Sequence, residues 1–315
     1  MEPSGITFIY SNVSFDEAQL PFELSETMTL RAATESEVEQ LNSHLNEAYG
    51  NASRWVVPFD HEPVEVEENG NKKTIYSPSE KRRWWVIAFN GYNPQIIELG
   101  KVSSLVNPKL HFGATFTYSE LNQTGKYQGV LYGNHSQIEL LANESRKKYE
   151  EVHHEELHKL KRYYGLLVND KAQYEKAGFV LDLYSSSSSL WIHSGLLTLS
   201  LFSIIESIIA HKPRLTETLD SITYQIKNKL NLLSKRFDHS VKHEEYFGEI
   251  GYPKLWGKLY GLRSDIAHGQ KYEFEGQYAV LKSLENVNNF LDKVAKELIK
   301  LSIDENDLIA DLREC

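Results

Sequence analysis

The chain holds a single cysteine, and it is the final residue, Cys315. No intrachain disulfide can form, so the fold must rest on packing and hydrogen bonds. Basic residues are scarce beside acidic ones: 34 Lys and Arg against 44 Asp and Glu, a net charge of −10. That balance disfavours a broad electrostatic attraction to nucleic acid; such a partner would have to meet a local basic cleft, or be a large folded RNA. Long apolar runs are lacking as well. Leu190 to Ala210 comes nearest, with only His193 and Glu206 ionisable, but its serines, threonines and central acid make it a poor membrane span. The middle of a helical bundle suits it better. Met1 to Tyr10 has neither the basic start nor the apolar run of a secretory signal. A cytoplasmic protein without membrane contact is expected.

What is present suits a globular protein: 41% hydrophobic and 25% charged residues over 315 positions, enough for two domains. The pattern changes near residue 135. Residues 1–134 alternate strand-like runs with turns, at Ile6 to Tyr10, Val64 to Val66, Lys73 to Tyr76, Trp84 to Phe89 and Phe112 to Tyr118. Asn69-Gly70-Asn71 suits a hairpin turn between two of them. One helix interrupts the strands, with Thr34 as N-cap, Glu37 completing a capping box, and Leu41, Leu45 and Ala48 as its buried stripe. No motif assigns this mixed domain a role; sensing or regulation is left open to it.

Residues 135–315 read as almost wholly helical, which makes the whole chain α+β. Leu157, Leu160, Tyr164 and Leu167 mark one stripe, and Leu219, Ile222, Ile226, Leu230 and Leu233 another. Leu284, Val287, Leu291, Val294, Leu298 and Leu301 alternate three and four apart, a seam expected to pack inside its own bundle. The Ser185 to Ser189 run is expected to be a loop or a helix entry.

The richest segment is Leu259-Tyr260-Gly261-Leu262-Arg263-Ser264-Asp265-Ile266-Ala267-His268-Gly269. Pro253 suits the first turn of its helix, and Gly269 the left-handed residue that closes it. Leu255, Leu259, Leu262 and Ile266 can face a core. Arg263 and His268, five residues apart, then point about 140° apart around the axis. They can border one cleft only across the helix end, or between two copies of it.

This Arg-x4-His followed by glycine resembles the signature of HEPN domains, in particular the Apea-like branch. Phe202 to Ile209 with its embedded Glu206 is similar to that family's central apolar helix, and Ile222 to Leu230 to the helix after it. The resemblance covers roughly the last half of the chain. It implies a helical bundle acting as a metal-independent endoribonuclease, in a toxin or antiphage defence context, with a composite site in a homodimer formed through the C-terminal helical domain. It implies Arg263 and His268 as catalytic residues, with Ser264, Asp265 and Glu206 supporting them, Glu206 by orienting Arg263. RNA is the expected substrate, and a regulatory or antitoxin protein the expected partner; no cofactor or metal is expected. The alternative is a non-catalytic dimer of the same type that binds RNA, nucleotide or a protein.

Each of these residues also has a plainer explanation. Arg263 can be an ordinary ion-pairing helix residue, Glu206 half of a structural salt bridge, and His268 a residue favoured by the dipole at a helix C-terminus. His154-Glu155-Glu156-Leu157-His158 matches the zinc-hydrolase pattern His-Glu-x-x-His, yet its helix is crowded with solvated charges. Lys161 and Tyr164 occupy the positions of the glycine and third histidine in the extended motif. Lys81-Arg82-Arg83-Trp84-Trp85 could stack on bases, but is better read as a strand entry whose tryptophans pack in the core.

Overall fold

The computed structural model describes residues 3–49, 61–68, 71–78, 83–91, 94–118, 128–130, 137–145, 147–211 and 222–314. The architecture is α+β, in two compact units, Met1–Gly165 and Leu166–Cys315.

The first unit is built on a six-stranded antiparallel sheet in the order β3-β4-β7-β1-β8-β9. Its strands are β1 (Gly5–Ile9), β3 (Phe22–Ser25), β4 (Met28–Ala32), β7 (Trp85–Phe89), β8 (Phe112–Thr117) and β9 (Gln128–Val130). β1 lies between β7 and β8, and every one of its residues is buried. Its alternation therefore serves two covered faces. Ile6 and Phe8 join Leu41 and Leu45 of helix α1 (Glu35–Tyr49) in the core, whereas Thr7 faces Thr115 across the ladder with their hydroxyls 2.9 Å apart. A Cβ at Gly113 would fall 2.1 Å from the Tyr10 ring, so only glycine lets that ring cross the strand.

The capping box forms as the sequence predicts: the Glu37 amide donates to the Thr34 hydroxyl (3.3 Å) and the Thr34 amide to the Glu37 carboxylate (2.7 Å). Trp84 and Trp85 are buried, and Arg83 pairs with Glu17 and lies over the Trp85 ring, which is the packing reading of that run. Lys81, Arg82, Arg146 and Leu219 lie outside the described residues, as do Asn69 and Gly70 of the expected turn. The flanking strands β5 (His61–Glu68) and β6 (Asn71–Pro78) pair from Glu68↔Asn71 to His61↔Pro78.

Sequence periodicity missed the shortest elements: β2 (Val13–Phe15), β3, β4, β9, β10 (Glu150–Val152) and the helix α2 (Pro94–Val102). Three to five residues hold too few alternations to register. The boundary near residue 135 also needs correction, because the division falls at Gly165. Helix α3 (Gln137–Ser145) sends Leu141 and Ala142 into the first unit's core, and β10 pairs in parallel with β2, Glu150↔Val13 to Val152↔Phe15. Residues 137–152 therefore belong to the sheet unit, and the boundary lies within helix α4 (His154–Asn169).

The second unit consists of α5 (Glu175–Ser187), α6 (Gly195–Ile209), α7 (Ile222–Leu233), α8 (His243–Phe247), α9 (Tyr252–Ala267), α10 (Leu284–Asp304) and α11 (Asn306–Glu314). The apolar α6 packs against α5, α7, α9, α10 and α11. The seam on α10 is buried within this bundle, from Val287 to Leu301. The serine run is neither loop nor helix entry. It forms the last turn of α5, where Ser187, Ser188 and Ser189 each donate to the carbonyl three residues back and so satisfy acceptors that the helix end leaves open. Among the described residues, no helix is long and apolar enough to cross a membrane.

One titration can be read directly. Burial alone would raise the Glu37 carboxyl, but hydrogen bonds from Arg31 (2.6 and 2.8 Å) and Thr34 outweigh it and hold it below its ordinary value. A depressed carboxyl contributes stability that is fully present above the unfolded value, about 4.3, and is lost as pH falls through the folded one. Glu37→Gln should therefore flatten the acid limb of a stability-versus-pH curve measured by urea unfolding. An unchanged acid limb would refute the pairing.

Candidate functional site

Helix α9 starts with Pro253 in its first turn and buries Leu255, Trp256, Leu259 and Leu262. Its end is fixed by two backbone bonds, Gln270 N–H to Asp265 C=O (2.8 Å) and Gly269 N–H to Ile266 C=O (3.1 Å), with Gly269 at φ 66. This is a Schellman closure, which needs a left-handed residue at the glycine position. His268 is the capping residue just before it. Its amide donates to Ser264 C=O (3.0 Å) and its side chain is exposed. Among the described residues, no hydrogen bond or ion pair holds the His268 imidazole.

Arg263 projects from the flank of the same helix toward α6. Its Nη2 stands 3.5 Å from Glu206 Oε2, and the other carboxylate oxygen accepts a 2.5 Å hydrogen bond from the Tyr260 hydroxyl. The Tyr260 ring packs edge-on against Phe202 and beneath the guanidinium, 5.9 Å from its carbon. Burial, and then the bond to Glu206, push the Tyr260 phenol far above its ordinary range, so it stays protonated and donating at any physiological pH. The contact between Glu206 and Arg263 is long, and among the described residues the buried Arg263 Nε has no partner. The acid therefore anchors the guanidinium while leaving most of its donors unused.

The other two expected supporting residues have different fates. Asp265 accepts a 2.7 Å hydrogen bond from the Tyr278 hydroxyl and a 3.5 Å one from Gln277. It thus ties α9 to the short 3-10 turn Gly276–Leu281. Burial and the bond to Asp265 push the Tyr278 phenol up to about 12. Ser264 is half-buried and lies on the outward side of α9 between Gly257 and His268. The structure thus joins Arg263 to Glu206, leaves His268 open, and turns Asp265 to a packing contact. Tyr260 was missed by sequence reasoning; its one available signal was its position, one turn before Arg263 on the same side of the helix.

The His154/His158 pair has its own geometry. The two Nε2 atoms are 2.8 Å apart, and both rings stand edge-on to Phe22. Among the described residues, His154 Nδ1 is buried without a partner. Glu155 is exposed, whereas Glu156 is buried and accepts from Asn107 N and Lys159 Nζ.

Comparison with family models, curated proteins and solved structures finds no match for this chain.

The Tyr260–Glu206–Arg263 arrangement makes a quantitative demand. Tyr260→Phe removes a hydrogen bond to a largely buried carboxylate and should cost about 1.5–3 kcal/mol in chemical unfolding. Because Glu206 is the shared partner, Tyr260→Phe and Glu206→Gln should be strongly non-additive in a double-mutant cycle. Additive losses would contradict the contact.

Proposed function

We propose that the chain is a metal-independent endoribonuclease of HEPN type, acting in a toxin or antiphage defence setting. The observation that carries this reading is Arg263: a partly exposed guanidinium anchored by one long contact to Glu206, on the helix whose end presents an open imidazole. An unfilled planar donor set suits a phosphate, whose oxygens match the guanidinium fork.

In the reaction, the 2′-hydroxyl of the RNA attacks the adjacent phosphorus as the bond to the 5′-oxygen breaks. The products are a 2′,3′-cyclic phosphate and a free 5′-hydroxyl. The nucleophile is internal to the substrate, so no metal is required to generate it. Arg263 neutralises charge developing on the non-bridging oxygens, and His268 moves protons at the attacking or leaving oxygen. Pointing about 140° apart, the two groups of one helix could meet at one phosphorus only across the helix end. Two copies of the chain, joined through the C-terminal unit, would complete the site. Apolar surface for that contact exists there: Phe179, Trp191 and Leu196 are all exposed.

A second reading, binding of RNA or another phosphate ligand without cleavage, is favoured by His268 itself. Proton-transferring histidines are commonly oriented by a third group, and among the described residues none holds this one.

Cleavage of RNA should persist in EDTA, stop when a 2′-deoxy nucleotide occupies the cut site, and disappear in His268→Ala. Glu206→Gln should lower it while the protein stays folded. Metal-dependent cutting of DNA would overturn the ribonuclease reading, and RNA bound but uncut by the wild-type chain would leave binding alone. Assembly has its own measurement: light scattering of the full chain at micromolar concentration should give a dimer, strengthened by phosphate that relieves repulsion between paired cations. A monomer with and without phosphate would rule out the composite site.

A further inference from the structure

Two imidazoles on helix α4 take no part in the proposed cleavage. His154 is the first residue of the helix and His158 lies one turn further on, about 40° away on the same face. Their Nε2 atoms meet at 2.8 Å. The rings stand perpendicular with centroids 4.3 Å apart, and each is also edge-on to Phe22 of β3, at 5.5 and 5.3 Å. Phe22 is buried, so both imidazoles rest on a fixed ring. His154 is half-buried and His158 exposed, which leaves the pair open to solvent on one side. Spacing alone does not produce this arrangement. His239 and His243 are also four residues apart, yet they go to separate partners: His239 faces Asp238, and His243 meets the Ile250 carbonyl.

Two ring nitrogens this close share either a proton or a metal ion. Neutral imidazole is a ligand for first-row transition ions, and a pair already brought together has little left to organise. Metal–nitrogen bonds of about 2.0–2.1 Å across a 2.8 Å nitrogen pair subtend about 85–90°, near the right angle of a tetragonal ion and well below a tetrahedral one. The surroundings carry charge of both signs. Glu150, Glu151 and Glu155 are exposed in the segment that bears the pair, whereas Lys161 lies 6.0 Å over the Phe22 ring. Among the described residues nothing braces either ring at Nδ1. Histidine ligands usually have such a brace, and its loss lowers affinity about 10–100-fold, so the pair suits a chelate of about micromolar strength and not a tight structural centre.

We propose that His154 and His158 form a two-nitrogen chelate for a divalent transition ion of tetragonal preference, copper(II) or nickel(II), with water completing its coordination. This is a binding site and not a hydrolytic centre. Among the described residues no third His, Cys, Asp or Glu atom joins the two nitrogens, whereas catalytic zinc takes three protein ligands. The ion clips the first turn of α4 by joining its first residue to its fifth, and so favours the folded chain by mass action. The proposal does not rest on the ribonuclease reading: a chelator would strip this ion and leave Arg263 and His268 untouched.

The test uses the untagged full chain, treated with EDTA and dialysed, and isothermal calorimetry with NiCl2, CuSO4, ZnCl2 and MgCl2. Nickel should bind with about micromolar affinity, copper more tightly, zinc more weakly, and magnesium not at all. His154→Ala and His158→Ala should each weaken nickel binding about a hundredfold, because each imidazole supplies the effective concentration for the other. His153→Ala, just outside the pair, should leave it unchanged. Binding should fall on acidification, since protons compete for the same nitrogens. Saturating nickel should raise the Tm of the wild-type chain but not that of His158→Ala. Circular dichroism checks that each variant is folded, and His158→Gln, which keeps a polar side chain at the exposed position, stands in should His158→Ala fail to fold. Nickel and copper that bind only at millimolar concentration would overturn the proposal, as would undiminished binding in both folded single variants. Zinc bound more tightly than nickel would refute the tetragonal geometry.

Discussion

Much of the second unit is arranged around one carboxylate. α6 is apolar along most of its length and packs against five other helices, so the polar oxygens of Glu206 on it need hydrogen-bond donors nearby. Those donors come from α9, as Tyr260 and Arg263, one helical turn apart and therefore on neighbouring parts of one face. Meeting both at once sets the height of α9 along α6. Phe202, one turn before Glu206, stands edge-on to both Trp256 and Tyr260, which fixes the same register from the apolar side. Near the start of α6, a Cβ at Gly195 would come within 3.0 Å of Ile266 Cγ2, so glycine there lets the end of α9 approach closely. The polar contact and the close approach together place Arg263 on the flank and His268 at the tip.

The termination of α9 matters as much as its register. Had the helix continued by another turn, position 268 would be one more residue on a cylinder. The left-handed Gly269 and the bond from Gln270 to Asp265 instead stop it there and leave the imidazole open to solvent. Asp265 takes part twice, through its carbonyl in the closure and through its carboxylate in the bond from Tyr278. A Cβ at Gly261 would sit 3.1 Å from the Tyr278 hydroxyl, so the small residue beneath it lets the tyrosine reach across. The end of the helix is thereby braced by a side chain from later in the chain. This gives Asp265 a structural task in bracing the helix end.

Legibility in the sequence follows the range of the interaction concerned. Thr34 with Glu37, Pro253 with Gly269 and the spaced leucines of α10 obey rules that operate within one or two turns, and all appear where expected. Helix α2 was passed over although Ile96, Leu99 and Val102 are buried at helical spacing, because nine residues offer too few repeats to stand out. The serines at the end of α5 are similarly ambiguous in a string of letters. Their role depends on which carbonyls the helix leaves open, and that is decided by where the helix stops. The unit boundary was misplaced for a different reason: β10 pairs with β2, more than a hundred residues earlier in the chain, and α3 packs into a core that includes Ile6 and Phe8 of β1.

The sequence by itself determined that Arg263 and His268 share one helix, that they point well apart around it, that the helix ends at Gly269, and that an acid interrupts an apolar helix elsewhere. Helical periodicity and capping are local, so four or five neighbouring letters are enough to specify them. Only the tertiary structure decided that Glu206 meets Tyr260 and Arg263, residues 54 and 57 positions away, and that Asp265 meets Tyr278. It also decided that Lys227 lies over Gly257 and that the Arg263 Nε is left without a partner among the described residues. The strength of a carboxylate contact or an open donor depends on distances of a few ångströms between separate helices. Those distances are set by how the apolar faces pack, and no local pattern encodes them.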